Sequence, residues 1–208
     1  MESVMAWLVL TGCGLAVWPL LATLRVRAVA CGWAFARTVG LLLLAYVYWL
    51  LNVAGVLDNC LAALRGVALA LAAASLALWT LRWRAVSAAL RRDWRHILMC
   101  ELLFAACLGL YALYKAHDPA INHTEEPMDF AFLNALLRSP SLPPRDPWLS
   151  GFSISYYYLG YLLTAVVARL SATAAGAAYN LGLAQSLALT VLGAYGVLEG
   201  LRRPRSTG

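Results

Sequence analysis

The sequence predicts an all-α fold, a polytopic transmembrane helical bundle of about six spans with one long external loop carrying a short interfacial helix. Three observations predict it. The 208-residue chain is 62% hydrophobic and 12% charged, with a mean hydropathy of +0.72, too apolar for a soluble domain. Several apolar runs approach the roughly 20 residues that cross a hydrocarbon core. The net charge of +6 comes from arginines gathered at the ends of those runs, Lys115 being the one lysine. That is the pattern of topology signals, so the basic balance implies a bilayer as partner and no nucleic acid.

Residues 1–114 read as four spans. The first runs from Met5 to Leu24, with Arg25 and Arg27 after it. Ala28-Val29-Ala30 imitates a signal-peptide cleavage site, but Glu2 and no basic residue precede the apolar run, so a retained helix with an external N-terminus fits better. The second span, Val39 to Leu57, is entered past Arg37; a turn at Leu57-Asp58-Asn59 returns the chain into a third, Leu61 to Leu81. Arg82, Arg84, Arg91, Arg92 and Arg95 form the densest basic segment, and the fourth span follows from Ile97 to Tyr114.

The positive-inside rule puts both arginine groups in the cytoplasm of a multi-pass protein of the cell membrane. The polar interval 115–155 then faces outward, and 156–201 supplies two further spans, Ile154 to Leu170 and Tyr179 to Leu201, across a turn at Ser171 to Ala178. Six spans leave the basic tail 202–208, with Arg202, Arg203 and Arg205, outside. Seven arginines support the orientation and three oppose it, a conflict expected of a fragment whose natural continuation is missing. Cys13, Cys31, Cys60, Cys100 and Cys107 fit neither a zinc spacing nor a disulfide framework; most lie in apolar runs and serve as small hydrophobes. Glu101, Arg65 and Arg169 lie within about two turns of span ends, where snorkelling or pairing accounts for them.

The external interval concentrates the polar chemistry: half of the ten carboxylates, two of three histidines and six of eight prolines. Pro127 to Arg138 reads as an amphipathic helix. Pro suits its first position, Glu125, Glu126 and Asp129 sit at its positive end, and Phe130, Leu133, Leu136 and Leu137 form one apolar stripe. Pro140, Pro143, Pro144 and Pro147 forbid further helix before Trp148. Trp148, Tyr156, Tyr157, Tyr158 and Tyr161 stand where an aromatic belt would.

HTEEPMDFAFLNALLRS, PPRDPWLSG and SYYYLGY together resemble a family of uncharacterised multi-spanning membrane proteins marked by its triple tyrosine, a domain of unknown function. Glu125 aligns with the family glutamate, while Glu126 stands where the family commonly has lysine. The family in turn resembles the C-type membrane glycosyltransferases, which carry acidic residues and an interfacial helix in the first large external loop and are longer than this chain. The resemblance implies an enzyme, or an N-terminal portion of one, that takes sugar from a polyprenyl-phosphate donor. It implies Asp129, Glu125 and Glu126 as catalytic carboxylates, with Asp129 and Glu125 as ligands of Mg²⁺ or Mn²⁺. It implies substrate contacts from His123, Asn134, Arg138, Arg145, Asp146, Tyr156, Tyr157 and Tyr158, the arginines suiting phosphate. The alternatives are a non-catalytic scaffold joined to further membrane subunits, and a transporter, which would show broken mid-membrane helices and repeats.

The orientation is testable. In a cysteine-free background, Ser141→Cys reacts with an impermeant thiol reagent in intact cells and Ser87→Cys reacts only after lysis; the reverse pattern sinks the orientation.

Overall fold

The computed structural model describes residues 1–23, 32–149 and 151–202. Arg25, Arg27, the Ala28–Ala30 triplet, Cys31, Arg203 and Arg205 lie outside the described residues. Those described form helices and connecting loops, with one isolated bridge between Arg145 and Ser153. Seven helices follow in order: α1 (Glu2–Thr23), α2 (Gly32–Val53), α3 (Leu61–Leu81), α4 (Trp83–His117), α5 (Glu126–Arg138), α6 (Leu159–Ser171) and α7 (Ala175–Arg202).

α1 and α2 make the closest pairing. A Cβ on Gly40 would stand 2.0 Å from the Cys13 carbonyl oxygen, so only a glycine lets the two backbones cross there. α2 begins seven residues before the expected Val39, and this overturns the placing of Arg37 at a span entrance. Trp33, Ala34, Ala36, Arg37, Gly40 and Leu41 are all buried, because the first two turns pack into the bundle. Arg37 is 1% exposed; its Nη2 donates to Glu101 Oε2 at 2.5 Å and Thr11 Oγ1 at 3.0 Å, and its guanidinium lies 4.4 Å from the Phe104 ring. Trp33 Nε1 donates to the other Glu101 oxygen at 2.6 Å. Glu101 is thus paired, as expected of an ionisable group in a span.

α3 keeps its expected bounds. Arg82 alone separates it from α4, whose 35 residues rise about 52 Å at 1.5 Å each. The basic segment is the first part of this helix: Ala85, Ala88, Ala89 and Leu90 favour it, and Val86, Ala89 and Asp93 recur on a buried face. α4 also takes in Lys115 to His117, so the external interval is shorter than expected. α5 matches the expected amphipathic helix to one residue.

Beside the expected count of about six spans, five helices among the described residues are long and apolar enough to cross a membrane. The exception is α6, expected as the fifth span. It has 13 residues and rises about 20 Å, short of a core about 30 Å thick. Ala172 at φ 54° ends it. Its ends meet neighbouring residues of α2: Tyr158, its N-cap, accepts from Trp49 Nε1 at 2.8 Å, and Arg169 donates to the Tyr48 hydroxyl at 3.0 Å. A helix pinned at both ends to adjacent residues lies across α2 instead of running along it. Of the two apolar helices in the 156–201 segment, α7 alone has the length of a span.

α7 runs antiparallel to α4. Asn180 donates to Pro119 O just past the end of α4, and the Tyr195 ring stacks on His96 at 5.6 Å. Arg202 consequently falls on the side of the Arg84–Arg95 half of α4. Arg202→Cys in a cysteine-free background is expected to share the labelling of Ser87→Cys, reacting only after lysis; labelling in intact cells would put the two ends on opposite sides of the membrane.

Candidate functional site

α5 is a short amphipathic helix held by a polar cluster at its C-terminal end. The last carbonyls of a helix lack intrahelical partners and carry its negative dipole end. Arg169 Nη2 donates to Leu136 O at 3.4 Å and Leu137 O at 3.2 Å. Its Nη1 donates to Asn59 Oδ1 at 2.8 Å, and the Asn59 amide donates to Leu136 O at 2.8 Å and Ser139 O at 2.6 Å. Tyr48 adds a 2.8 Å bond to Asn59 Oδ1, and the Asn59 N–H reaches Pro140 O at 2.7 Å. The α2–α3 turn, expected only to reverse the chain, thus holds α5.

This cluster turns the Asp129 and Leu133 face of α5 toward α6 and α7. Tyr161 Oη donates to Asp129 Oδ1 at 2.5 Å and Tyr179 Oη to Oδ2 at 3.4 Å. Together with Tyr157, Gly160, Thr164, Gly182, Leu183 and Ser186 they line a cavity of about 260 Å³. Burial, then the bond to Asp129, pushes the Tyr161 phenol well above its ordinary range, so it stays a proton donor at neutral pH. Two phenol hydroxyls thus hold the Asp129 carboxylate in place, one on each oxygen. A Cβ on Gly182 would come within 2.7 Å of the Thr164 methyl, so the glycine lets α6 and α7 approach closely here.

The three expected catalytic carboxylates do not converge. Glu126 faces away from the cavity: its Oε1 accepts from Lys115 Nζ at 3.0 Å and its Oε2 from the His123 N–H at 3.3 Å. Both partners of the ion pair are largely buried. The Lys115 bond holds the Glu126 carboxyl below its ordinary range. A negative charge where the family commonly has lysine is matched by this chain's sole lysine on α4. Glu125 is exposed, and its carbonyl accepts the Asp129 N–H at 3.0 Å. Among the described residues no group of three or more His, Cys, Asp or Glu could hold a metal ion.

The expected substrate residues divide among several places. Asn134, Arg138, Arg145 and Asp146 line a second recess of about 590 Å³. Asn134 and Arg138 project from the side of α5 opposite Asp129, as a period of 3.6 residues requires. Asp146 Oδ1 also accepts the N–H groups of Trp148 and Leu149, at 2.8 and 2.9 Å, which folds the proline-rich turn. His123 pairs with Asp118 at 2.9 Å on the surface.

The triple tyrosine splits three ways. Tyr157 is 73% exposed at the Asp129 cavity. Tyr158 anchors to Trp49. Tyr156 stacks between Phe132 at 5.4 Å and Tyr157 at 4.1 Å, and its hydroxyl bond to Tyr157 pushes its phenol up to about 12. Sequence reasoning missed Tyr161 and Tyr179 as partners of Asp129. The signal for Tyr161 was its five-residue offset from Tyr156 beside Gly160; for Tyr179, no local pattern existed.

A family model described as an uncharacterized membrane protein (DUF2298) matches residues 43–206. No curated protein and no solved structure matches the chain.

The Lys115–Glu126 tie carries a pH dependence. A depressed folded value means that its stabilisation is present above about 4.3, the ordinary glutamate value, and is lost as pH falls through the folded value. Hydrogen exchange over residues 118–126 is expected to accelerate below about pH 4. Asp118, also held low by His123, contributes to that step, so the comparison uses Asp118→Asn. In that background the acid step persists and disappears on adding Glu126→Gln; an unchanged step assigns it elsewhere.

Proposed function

Because the chain belongs to the DUF2298 family of uncharacterised membrane proteins, we propose that it acts, alone or as part of a longer enzyme, as a glycosyltransferase that takes sugar from a lipid-phosphate donor. The observation that supports this is Asp129, which lies in the first turn of a surface helix, lines a cavity with aromatic walls, and is held by two tyrosine hydroxyls. An exposed ring beside a carboxylate suits a sugar, whose ring carbons stack on Tyr157 while its hydroxyls seek the polar group.

In this reading the acceptor hydroxyl oxygen bonds the anomeric carbon and passes its proton to Asp129. The bond from that carbon to the phosphate oxygen breaks, and its electron pair leaves with the lipid phosphate. Tyr161 and Tyr179 orient the carboxylate. A hard cation such as Mg²⁺ or Mn²⁺, if bound, would take Glu125 and Asp129 as its carboxylates and complete its shell with waters. Such a cation would supply positive charge toward the leaving phosphate. Arg138 and Arg145, across α5, would take a more distant anionic group of a substrate.

The scaffold reading draws on α3, whose outer face exposes Leu69, Leu76 and Leu81 at 70%, 65% and 78% and could meet further membrane subunits.

Asp129→Asn keeps the shape and one acceptor oxygen, turns the other position into an N–H donor and removes the charge. Transfer of labelled sugar from a polyprenyl-phosphate donor, in membranes carrying the protein, is expected to fall roughly a hundredfold, the scale of general-base loss. Membrane abundance is expected to stay normal. Full transfer at normal abundance removes Asp129 from the mechanism and shifts the role to Glu125; no transfer by the unaltered protein favours the scaffold.

A further inference from the structure

A third cavity, of about 450 Å³, opens between α1, α2 and α3, with Leu170 of α6 also in its lining. Its volume is in the range of small-molecule sites. Its walls are apolar, from Val9, Gly12, Leu44, Ala68 and Leu71 among others, with one charged side chain, Arg65. Arg65 stands in the second turn of α3, near the end joined to the Asn59 turn, and is exposed. Among the described residues nothing bonds its guanidinium. An arginine at that depth in a span needs an anion or interfacial water to offset its desolvation. The open volume is real space on α1: a Cβ on Gly12 would have nothing within 4 Å.

This cavity is distinct from the Asp129 site. Leu170 is on the side of α6 opposite Tyr161, nine residues on, or about 13 Å along the axis. A donor reacting at Asp129 would not place its phosphate on Arg65. We propose that the α1–α3 groove is a binding site for an anionic phospholipid of the outer leaflet, one acyl chain in the groove and its phosphate on Arg65. Charge complementarity selects this occupant. The groove takes any hydrocarbon tail, while the one cation at its edge prefers a head with net negative charge over a zwitterion of equal tail length. Guanidinium-to-phosphate pairing, two-pronged and charge-assisted, supplies that preference.

The test uses the purified, delipidated full chain in native mass spectrometry. It is titrated with phosphatidylglycerol and with phosphatidylcholine of matched chains. The expected result is one retained phosphatidylglycerol at a concentration about tenfold below that needed for phosphatidylcholine, a preference of the size a charge-assisted hydrogen bond gives. Arg65→Gln abolishes the preference and keeps weak binding of both. Gly12→Leu, whose Cβ has nothing within 4 Å and whose further carbons enter the groove, abolishes retention of both at unchanged thermal stability. Equal retention of the two lipids by the unaltered chain overturns the proposal, as does a preference that survives Arg65→Gln or retention that survives Gly12→Leu. Displacement of the phospholipid by a polyprenyl phosphate would also overturn it and give the groove to the donor. The glycosyltransferase reading is judged separately, by transfer in the Asp129→Asn experiment.

Discussion

A guanidinium taken into an apolar bundle must find acceptors, and the way Arg169 finds them shapes the outer half of this protein. Its four acceptors, Tyr48, Asn59, Leu136 and Leu137, are all uncharged. The negative end of α5 takes the place of a carboxylate. Withdrawing Arg169 would strand the Leu137 carbonyl, at about 1–3 kcal/mol, and leave Leu136 O to Asn59 alone, so α5 and α6 hold one another in place. The azimuth of α5, and hence the direction in which Asp129 points, follows from that bond set.

The inner half solves the same problem differently. Arg37 meets a full opposite charge in Glu101, with Trp33, Thr11 and Phe104 around the pair. Such a pair adds little net stability over a hydrophobic substitute, yet losing one member leaves an uncompensated charge and costs about 3–5 kcal/mol. It joins α2 to α4 at one register. Combined with the Gly40–Cys13 crossing, it leaves α1, α2 and α4 few alternative packings.

The long helices were legible because hydropathy over 20 residues reports directly on solvation by lipid. α5 was legible through Pro127, its acidic first turn and its apolar stripe. α6 was misread because Ile154 to Leu170 is apolar enough to cross. Hydropathy records burial, and α6 is buried by the bundle while lying across it. Arg37 was misread for a related reason, since a charge near an apolar run marks the membrane surface unless a distant residue neutralises it. Asp129 could be singled out locally, but Tyr161 and Tyr179 lie 32 and 50 residues away and only tertiary packing joins them. The dispersal of Glu125, Glu126 and Asp129 likewise depends on Lys115, which belongs to another helix.

The length of α4 has a mechanical meaning. Some 20 Å of it exceeds the thickness of the hydrocarbon core, and that excess carries Arg84, Arg91, Arg92 and Arg95 with exposed Trp83 and Trp94. Arginines near an anionic inner leaflet gain roughly 1 kcal/mol apiece, and tryptophans settle at headgroup depth. α4 is one unbroken rod from there to Lys115, which grips the first turn of α5. The headgroup layer at that end is thus tied, through a rigid strut, to the level at which the first turn of α5 and the carboxylate of Asp129 stand.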